Sequence, residues 1–166
     1  MSPATGGAVN TVFELNGRNV TAEHAPGDVL LTWLRRQGLV SVKFASEEGE
    51  TGCDTVLIDG VPQNAGLILV GTLKGRQVTT LEGIQTPEMK RLQQTFIEEG
   101  ALQCGYCTPG MLLAGYALLQ QENRPTEAEI REALSAVTCR CTGYVKPVRA
   151  VLDFLATKDT KGHKDE

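Results

Sequence analysis

The sequence has few aromatic residues, no long apolar run and no excess of positive charge. Aromatic residues make up only 5% of the 166 residues, against 18 glycines, which indicates many tight turns rather than a large aromatic core. No apolar stretch reaches the roughly 18 residues that a membrane span needs, so we expect no membrane partner. The net charge is −4 and no Lys/Arg stripe is present, which argues against a nucleic-acid partner.

Several motifs of catalysis and export are also missing. The chain has no P-loop, no G-x-G-x-x-G fingerprint and no recognisable Ser/His/Asp set, so the chain alone is not predicted to be a catalyst. Its first residues, MSPATGGAVN, lack the basic and apolar regions of a secretory signal peptide, so we expect a cytoplasmic protein. Segments 1–8 and 158–166 are predicted to be disordered tails.

Residues 9–82 have the pattern of a small mixed domain. Alternation from Thr11 to Leu15 predicts a strand, and Asn16-Gly17 predicts a hairpin turn, because both central residues of that turn need a positive φ. A helix is expected from Asp28, as its cap, through Gln37. Further strands are predicted at Arg18–Ala22, Thr55–Ile58, Leu67–Val70 and Gln77–Leu81. A small sheet with one helix laid across it is the β-grasp arrangement of plant-type ferredoxins.

Residues 83–157 have a helical pattern instead. Two helices are predicted to begin at Thr86-Pro87 and Thr108-Pro109, and Thr126 with Glu129 predicts a capping box. A fourth helix is expected from Pro147. Four short helices joined by tight turns predict a four-helix bundle, so the fold class is α+β, with a β-grasp domain followed by a helical domain.

Four of the five cysteines have the spacing of metal ligands. Cys104 and Cys107 form C-x-x-C between the first and second bundle helices, and Cys139 and Cys141 form C-x-C between the third and fourth. Turns at one end of a bundle can meet, which would bring four thiolates together. Four thiolates suit a [2Fe–2S] cluster or a structural zinc ion, and the spacing alone does not decide between them. His24 is expected to be a surface loop residue rather than a ligand.

The residues around these cysteines resemble a known family. The segments Gln103–Met111 (QCGYCTPGM) and Cys139–Tyr144 (CRCTGY) are similar to the paired signatures of the iron–sulfur subunit or domain of the xanthine oxidase (molybdenum hydroxylase) family. The resemblance runs from about Val9 to Ala156. It implies one [2Fe–2S] cluster on the four motif cysteines. It also implies that Gln103 and Cys141 approach the pterin of a molybdenum cofactor in a large partner subunit, with FAD in a further subunit left open.

One loop departs from the family pattern. In the family this loop reads K-x-G-C-x-x-G-x-C-G-x-C-T and holds a second cluster, with a fourth cysteine after the next strand. Here residues 43–55 read KFASEEGETGCDT, and none of the four ligand positions is cysteine. These positions are Ser46, Thr51, Asp54 and Gly66. The N-terminal domain is therefore predicted to lack its cluster, and Cys53, at a non-ligand position, is interpreted as a small, partly buried residue.

Three functions are compatible with these observations. In the first, the chain is the small subunit of a heteromeric enzyme and relays electrons from the molybdenum cofactor through a single cluster. In the second, the complex performs net non-redox chemistry, such as hydration of a double bond, and the cluster is structural or a transient electron store. In the third, a zinc ion stabilises an interaction module that has no redox role.

Overall fold

The computed structural model describes residues 7–46 and 48–161, which form a five-stranded sheet and five α-helices. The strands are β1 (Val9–Leu15), β2 (Arg18–His24), β3 (Thr55–Ile58), β4 (Val61–Asn64) and β5 (Gln77–Thr79). The helices are α1 (Leu30–Arg36), α2 (Pro87–Glu98), α3 (Thr108–Gln121), α4 (Glu127–Ser135) and α5 (Val145–Lys161). Short 3₁₀ turns occupy Ala65–Leu67, Val70–Leu73 and Leu81–Gly83. A mixed sheet therefore precedes a run of helices.

The strands lie in the order β2-β1-β5-β3-β4. The β1–β2 pair is an antiparallel hairpin whose turn residues Asn16 and Gly17 have φ values of 50° and 79°. These values confirm the predicted turn. β5 pairs parallel with β1 and antiparallel with β3, so it joins the two hairpins into one sheet.

Helix α1 covers the sheet and supplies much of the first hydrophobic cluster. Trp33 of α1 meets Phe13 of β1 edge to face, with ring centroids 5.5 Å apart. The expected capping by Asp28 is wrong, because Val29 is the N-cap residue and makes no side-chain capping bond. The Asp28 carboxylate instead accepts a hydrogen bond from the N–H of Ala25, since the preceding turn folds back on itself.

One predicted strand is absent, one strand was not predicted, and the expectation for one histidine is wrong. Leu67–Val70 is not a strand: two 3₁₀ turns meet there, and Leu69 makes one isolated bridge to Val29. β4 was not predicted, although Asp59 and Gly60 form a turn with positive φ at both residues. Pro62 argues against a strand in the sequence. β4 lies at the edge of the sheet, where proline is tolerated. His24 is buried in β2, where its Nε2 lies 2.9 Å from Thr11 Oγ1, because strand alternation turns it inward.

Two predicted helix starts are confirmed in detail. Thr86 accepts a hydrogen bond from the N–H of Met89, and Thr126 forms the predicted capping box with Glu129. Helix α3 begins at Thr108 with Cys107 as its N-cap, one residue earlier than the motif suggested. α5 begins at Val145, two residues before the expected start.

Helices α2 to α5 pack on one another, and α3 also packs on β3 and β4. α2 contacts α5 and α3, and α4 contacts α3 and α5. Their buried residues form a second hydrophobic cluster, which also takes in Cys53 and Leu57 from the N-terminal half. No helix among residues 7–46 and 48–161 is both long and apolar enough to cross a membrane.

Helix α5 changes the predicted C-terminal tail. It continues to Lys161, four residues into segment 158–166, and no glycine or proline occurs between Pro147 and Gly162. The rest of that segment, and residues 1–6 of the predicted N-terminal tail, lie outside the described residues.

Candidate metal centre

The four motif cysteines line a single cavity of about 240 Å³. Cys104 and Cys107 lie in the turn between α2 and α3, and Cys139 and Cys141 lie in the turn between α4 and α5. The packing of these helices brings the two turns to the same end of the helical half. The cysteines predicted as ligands are thus brought together by the fold.

Residues with a positive φ shape both turns. Gly105, between Cys104 and Cys107, has a φ of 79°, and Gly143 and Tyr144 after Cys141 have φ values of 63° and 66°. Such values reverse the chain within a few residues, and glycine adopts them at low cost. Tyr144 pays a steric cost but places its hydroxyl back on the turn, where it accepts a hydrogen bond from the N–H of Cys139 at 2.8 Å.

The cysteines are arranged as two pairs. Cys104 Sγ and Cys141 Sγ lie 3.6 Å apart at the protein surface, while the side chains of Cys107 and Cys139 are hydrogen-bonded and buried. Two thiolates bound tetrahedrally to a metal about 2.3 Å away would lie about 3.7 Å apart. Within the described part of the chain, no three His, Cys, Asp or Glu side chains converge on one ion. The Cys104–Cys141 separation matches two ligands of one metal ion, as in a cluster in which each iron binds two thiolates.

The buried pair is held by polar contacts. Thr142 reaches Cys139 Sγ with its hydroxyl at 3.1 Å and its N–H at 3.5 Å. Burial opposes ionisation of Cys139, but these hydrogen bonds outweigh it and lower the pKa of the thiol. Burial raises the pKa of Cys107 to about 12, and the hydrogen bond with Cys139 adds to the effect. A metal that binds Cys107 displaces the proton of this thiol.

The pKa values of the two surface thiols are also shifted in opposite directions. A hydrogen bond from the N–H of Tyr106 lowers the pKa of Cys104, and the contact with Cys141 lowers it further. The hydrogen bond between the two thiols raises the pKa of Cys141. Each pair thus contains one thiol that ionises more readily and one that keeps its proton.

Gln103 lies beside Cys141 on the open side of the cavity. Its Nε2 donates a hydrogen bond to the carbonyl oxygen of Cys141 at 3.1 Å, and both residues are exposed. The two residues predicted to approach a pterin therefore share one surface, next to the Cys104–Cys141 pair.

The N-terminal loop closes the other side of the cavity, which sequence reasoning missed. Ala45, Thr51 and Cys53 line the cavity together with the four motif cysteines. Thr51 accepts a hydrogen bond through its carbonyl oxygen from the N–H of Thr138 at 2.7 Å. The sequence gives no signal that this loop packs against the second cysteine motif, because the contact joins residues far apart in the chain.

Residues at the positions of the family's second-cluster ligands stabilise the loop by hydrogen bonds. The Asp54 carboxylate accepts a hydrogen bond from the N–H of Gly66 at 2.6 Å, and Ser46 donates one to Glu50 at 2.7 Å. Asn64 donates a further bond to the carbonyl oxygen of Gly49. No thiol occupies these positions, so the residues present do not fit a second cluster.

Comparisons with known proteins agree with this site. Residues 80–152 match the family described as a [2Fe-2S] binding domain. The chain is 45% identical over 141 residues to the nicotinate dehydrogenase small FeS subunit of Eubacterium barkeri, which covers 84% of this chain and 90% of that subunit. It is 41% identical over 147 residues to the xanthine dehydrogenase iron-sulfur-binding subunit of Escherichia coli O157:H7, covering 87% and 92%.

A solved structure shares the whole fold. A chain of quinoline 2-oxidoreductase from Pseudomonas putida 86 superposes with a TM-score of 0.85 at 34% identity, and the match covers 95% of this chain and 99% of that one. This likeness and the two relatives extend well beyond the cysteine motifs and include the N-terminal sheet. The resemblance predicted from the sequence is thereby confirmed, and the chain belongs to the family of small iron–sulfur subunits of the molybdenum hydroxylases.

Proposed function

We propose that this chain is the [2Fe–2S] subunit of a heteromeric molybdenum hydroxylase-type enzyme and that it relays electrons through a single cluster. The observation that carries the proposal is the cavity lined by two cysteine pairs, one buried and one at the surface. In this proposal, the partner is a large subunit that holds the molybdenum cofactor. The names of the relatives, which include dehydrogenase subunits, support redox chemistry in the complex.

The cluster ligands in this proposal are the four motif cysteines. They are Cys104, Cys107, Cys139 and Cys141. A bound [2Fe–2S] cluster supplies a one-electron carrier, and the protein around it sets the potential. The chain shields one side of the cavity with the N-terminal loop, and it leaves the Cys104–Cys141 side open to a partner.

Electrons enter, in this proposal, on the open side. Gln103 and Cys141 lie together there, and the amide of Gln103 is held by the Cys141 carbonyl oxygen at 3.1 Å. This bond leaves the amide oxygen of Gln103 available to accept a hydrogen bond from the pterin of the partner. Tyr106, at the cavity edge and 43% exposed, adds contact area for the same subunit.

The architecture in this proposal has two domains. Residues 9–82 form a β-grasp domain without a cluster, and residues 83–157 form a four-helix [2Fe–2S] domain. The two hydrophobic clusters support this division, since one belongs to the sheet and α1 and the other mainly to α2–α5. The β-grasp domain then serves as a cover for the cluster and not as a second electron carrier.

The missing thiols in the N-terminal loop also favour a second candidate. A complex with no onward cluster has no obvious path to FAD in a flavin subunit, so its net chemistry would involve no electron export. A hydratase is one example of such chemistry. The cluster would then be structural or a transient electron store.

The iron content per chain of the anaerobically purified complex tests the single cluster. We expect about two irons per chain and one [2Fe–2S] signal in the EPR spectrum after dithionite reduction. About four irons and two signals would refute the single-cluster proposal. Zinc in place of iron would refute the redox role altogether.

Reduction by substrate tests the direction of electron flow. The cluster of the complex should bleach on the turnover timescale, and the electrons should pass to an added acceptor. Gln103→Ala should slow this bleaching while the dithionite-reduced EPR signal stays unchanged. Gln94→Ala, on the exposed face of α2, is the matched control and should bleach at the normal rate. Product formation without an acceptor and without bleaching would favour the second candidate.

A further inference from the structure

Cys53 lines the same cavity as the four motif cysteines. Its side chain is 5% exposed, and it belongs to the hydrophobic cluster of the helices although it lies in the N-terminal loop. Burial was expected for this residue. Its position in the cysteine-lined cavity was not expected. It brings a fifth sulfur to a site where four thiolates complete the ligand set.

The thiol of Cys53 is directed by a hydrogen bond. Its Sγ donates to the carbonyl oxygen of Thr138 at 3.8 Å, and Thr138 directly precedes Cys139. The N–H of Thr138 is bound in turn by the carbonyl oxygen of Thr51 at 2.7 Å. Both backbone groups of Thr138 are therefore held by the same short segment of the N-terminal loop.

Close contact makes this arrangement rigid. Gly52, between Thr51 and Cys53, has a φ of 62°, and a Cβ atom there would overlap the carbonyl oxygen of Ala136. The loop thus lies directly on the turn after α4. The peptide that leads into Cys139 is fixed by the loop from one side and by the Tyr144 hydroxyl from the other.

We propose that Cys53 is a positioning residue for the [2Fe–2S] cluster, which holds Cys139 in place through the carbonyl oxygen of Thr138 and fills the cavity beside it. Cys53 is not a ligand in this proposal. The inference rests on the proposed function, because it requires that a cluster occupies the cavity.

The potential of the cluster reports on this role. Cluster potentials depend on hydrogen bonds near the sulfurs and on solvent exposure, and residues that orient the ligands without binding the metal also change them. Loss of the Cys53 thiol would free the Thr138 carbonyl oxygen and open space beside Cys139. The cluster should remain, but its potential and its EPR line shape should change.

Three substitutions of Cys53 in the purified complex separate hydrogen bonding from packing. Cys53→Ser keeps a donor on a somewhat smaller side chain, Cys53→Val fills the space without a donor, and Cys53→Ala removes both. We expect all three to retain the iron content of the wild type. In an EPR-monitored redox titration, the Val and Ala variants should change the ratio of reduced to oxidised cluster at a fixed potential by about threefold or more, as loss of a weak hydrogen bond would. The Ser variant should stay near the wild type.

Thr95→Ala is the matched control. Thr95 is buried in α2 and donates a hydrogen bond to the carbonyl oxygen of Leu92, but it does not line the cavity. Its loss should leave the potential unchanged.

Each result decides between the inference and its alternatives. Unchanged potentials and spectra in both the Val and Ala variants would overturn it, and so would a shift in the Ser variant equal to theirs. Loss of iron from a folded Cys53→Ala protein would show that Cys53 is a ligand and would also overturn it. If the Ala variant fails to fold, the Val variant makes the same test. A wild type without an iron–sulfur signal would instead refute the proposed function.

Discussion

The carboxylate of Asp54 accepts a hydrogen bond from the backbone N–H of Gly66 at 2.6 Å. The resemblance to the family places both residues at positions that hold cysteine ligands of a second cluster. Asp54 is only 1% exposed, and its Oδ1 has no hydrogen-bond partner among the described residues. A hydrogen bond between Asp54 and Gly66 therefore links the loop to the turn after β4, at positions that cluster ligands occupy in the family.

Replacement of Asp54 by alanine should destabilise the protein without loss of iron. The N–H of Gly66 would lose its acceptor in a buried site, which costs about 1–3 kcal/mol. Urea unfolding followed by far-UV circular dichroism measures this cost, and iron analysis checks the cluster. Asp54→Asn keeps an acceptor oxygen and should cost less. An unchanged unfolding midpoint in the alanine variant would show that the bond contributes little to stability.

The sequence predicted those features that depend on a few neighbouring residues. The Asn16-Gly17 turn and the caps at Thr86 and Thr126 were found because each is determined within about four positions. The cysteine motifs were recognisable for the same reason. Their meeting in one cavity also followed, because turns at one end of packed helices must lie close together.

The features that the sequence did not predict depend on distant contacts. Cys53 meets Thr138 across 85 positions of the chain, and no local pattern records that contact. The segment after β4 has the apolar residues of a strand, yet it forms 3₁₀ turns that flank the isolated bridge between Leu69 and Val29. The Asp28 side chain was available as a cap but was engaged by the preceding turn. In each case tertiary contacts override a correct local preference.

Replacement of either Cys104 or Cys139 by serine should remove the cluster. Serine supplies a weaker and harder ligand, so the irons would lose one of four thiolates. Because ligand binding is coupled to folding, the helical half should also unfold at a lower temperature. Iron content, visible absorption and the melting temperature measure these effects. Retained iron and an unchanged melting temperature in both variants would refute the ligand assignment.

Glu82 should give the protein a pH-dependent contribution to stability. Its carboxylate accepts hydrogen bonds from the N–H of Ser41 at 2.9 Å and from the hydroxyl of Thr80 at 2.6 Å. Burial opposes ionisation, but the bonds from Ser41 and Thr80 outweigh it and lower the pKa of Glu82. A lowered pKa in the folded state gives a stability that is fully present above the pKa of the unfolded chain. That stability is lost as the pH falls through the lower folded pKa.

Glu82→Gln tests this sign. The variant should be less stable than the wild type at neutral pH, and the difference should shrink as the pH falls below about 4. Urea unfolding at several pH values measures the difference, and Glu23→Gln, at an exposed position of β2, is the matched control. A difference that stays constant with pH would show that the charge of Glu82 contributes nothing.

Gly52 and Gly60 allow a test of the contact between the loop and the helices. Both have a positive φ, 62° and 81°, so alanine at either position adopts an unfavourable backbone conformation that costs about 1–2 kcal/mol. At Gly60 an added Cβ meets no atom within 4 Å, whereas at Gly52 it overlaps the carbonyl oxygen of Ala136. Gly60→Ala should therefore show the backbone cost alone. Gly52→Ala should show a larger loss in urea unfolding, by about a further 1–3 kcal/mol, because backbone atoms cannot move aside cheaply.

The same variant should also affect the cluster. Since Gly52 lies between Thr51 and Cys53, the displaced loop should release Thr138, and the cluster should be lost faster to an iron chelator. Equal losses of stability in the two variants would mean that the loop does not press on the turn after α4, and the role of Cys53 would then lose its structural basis.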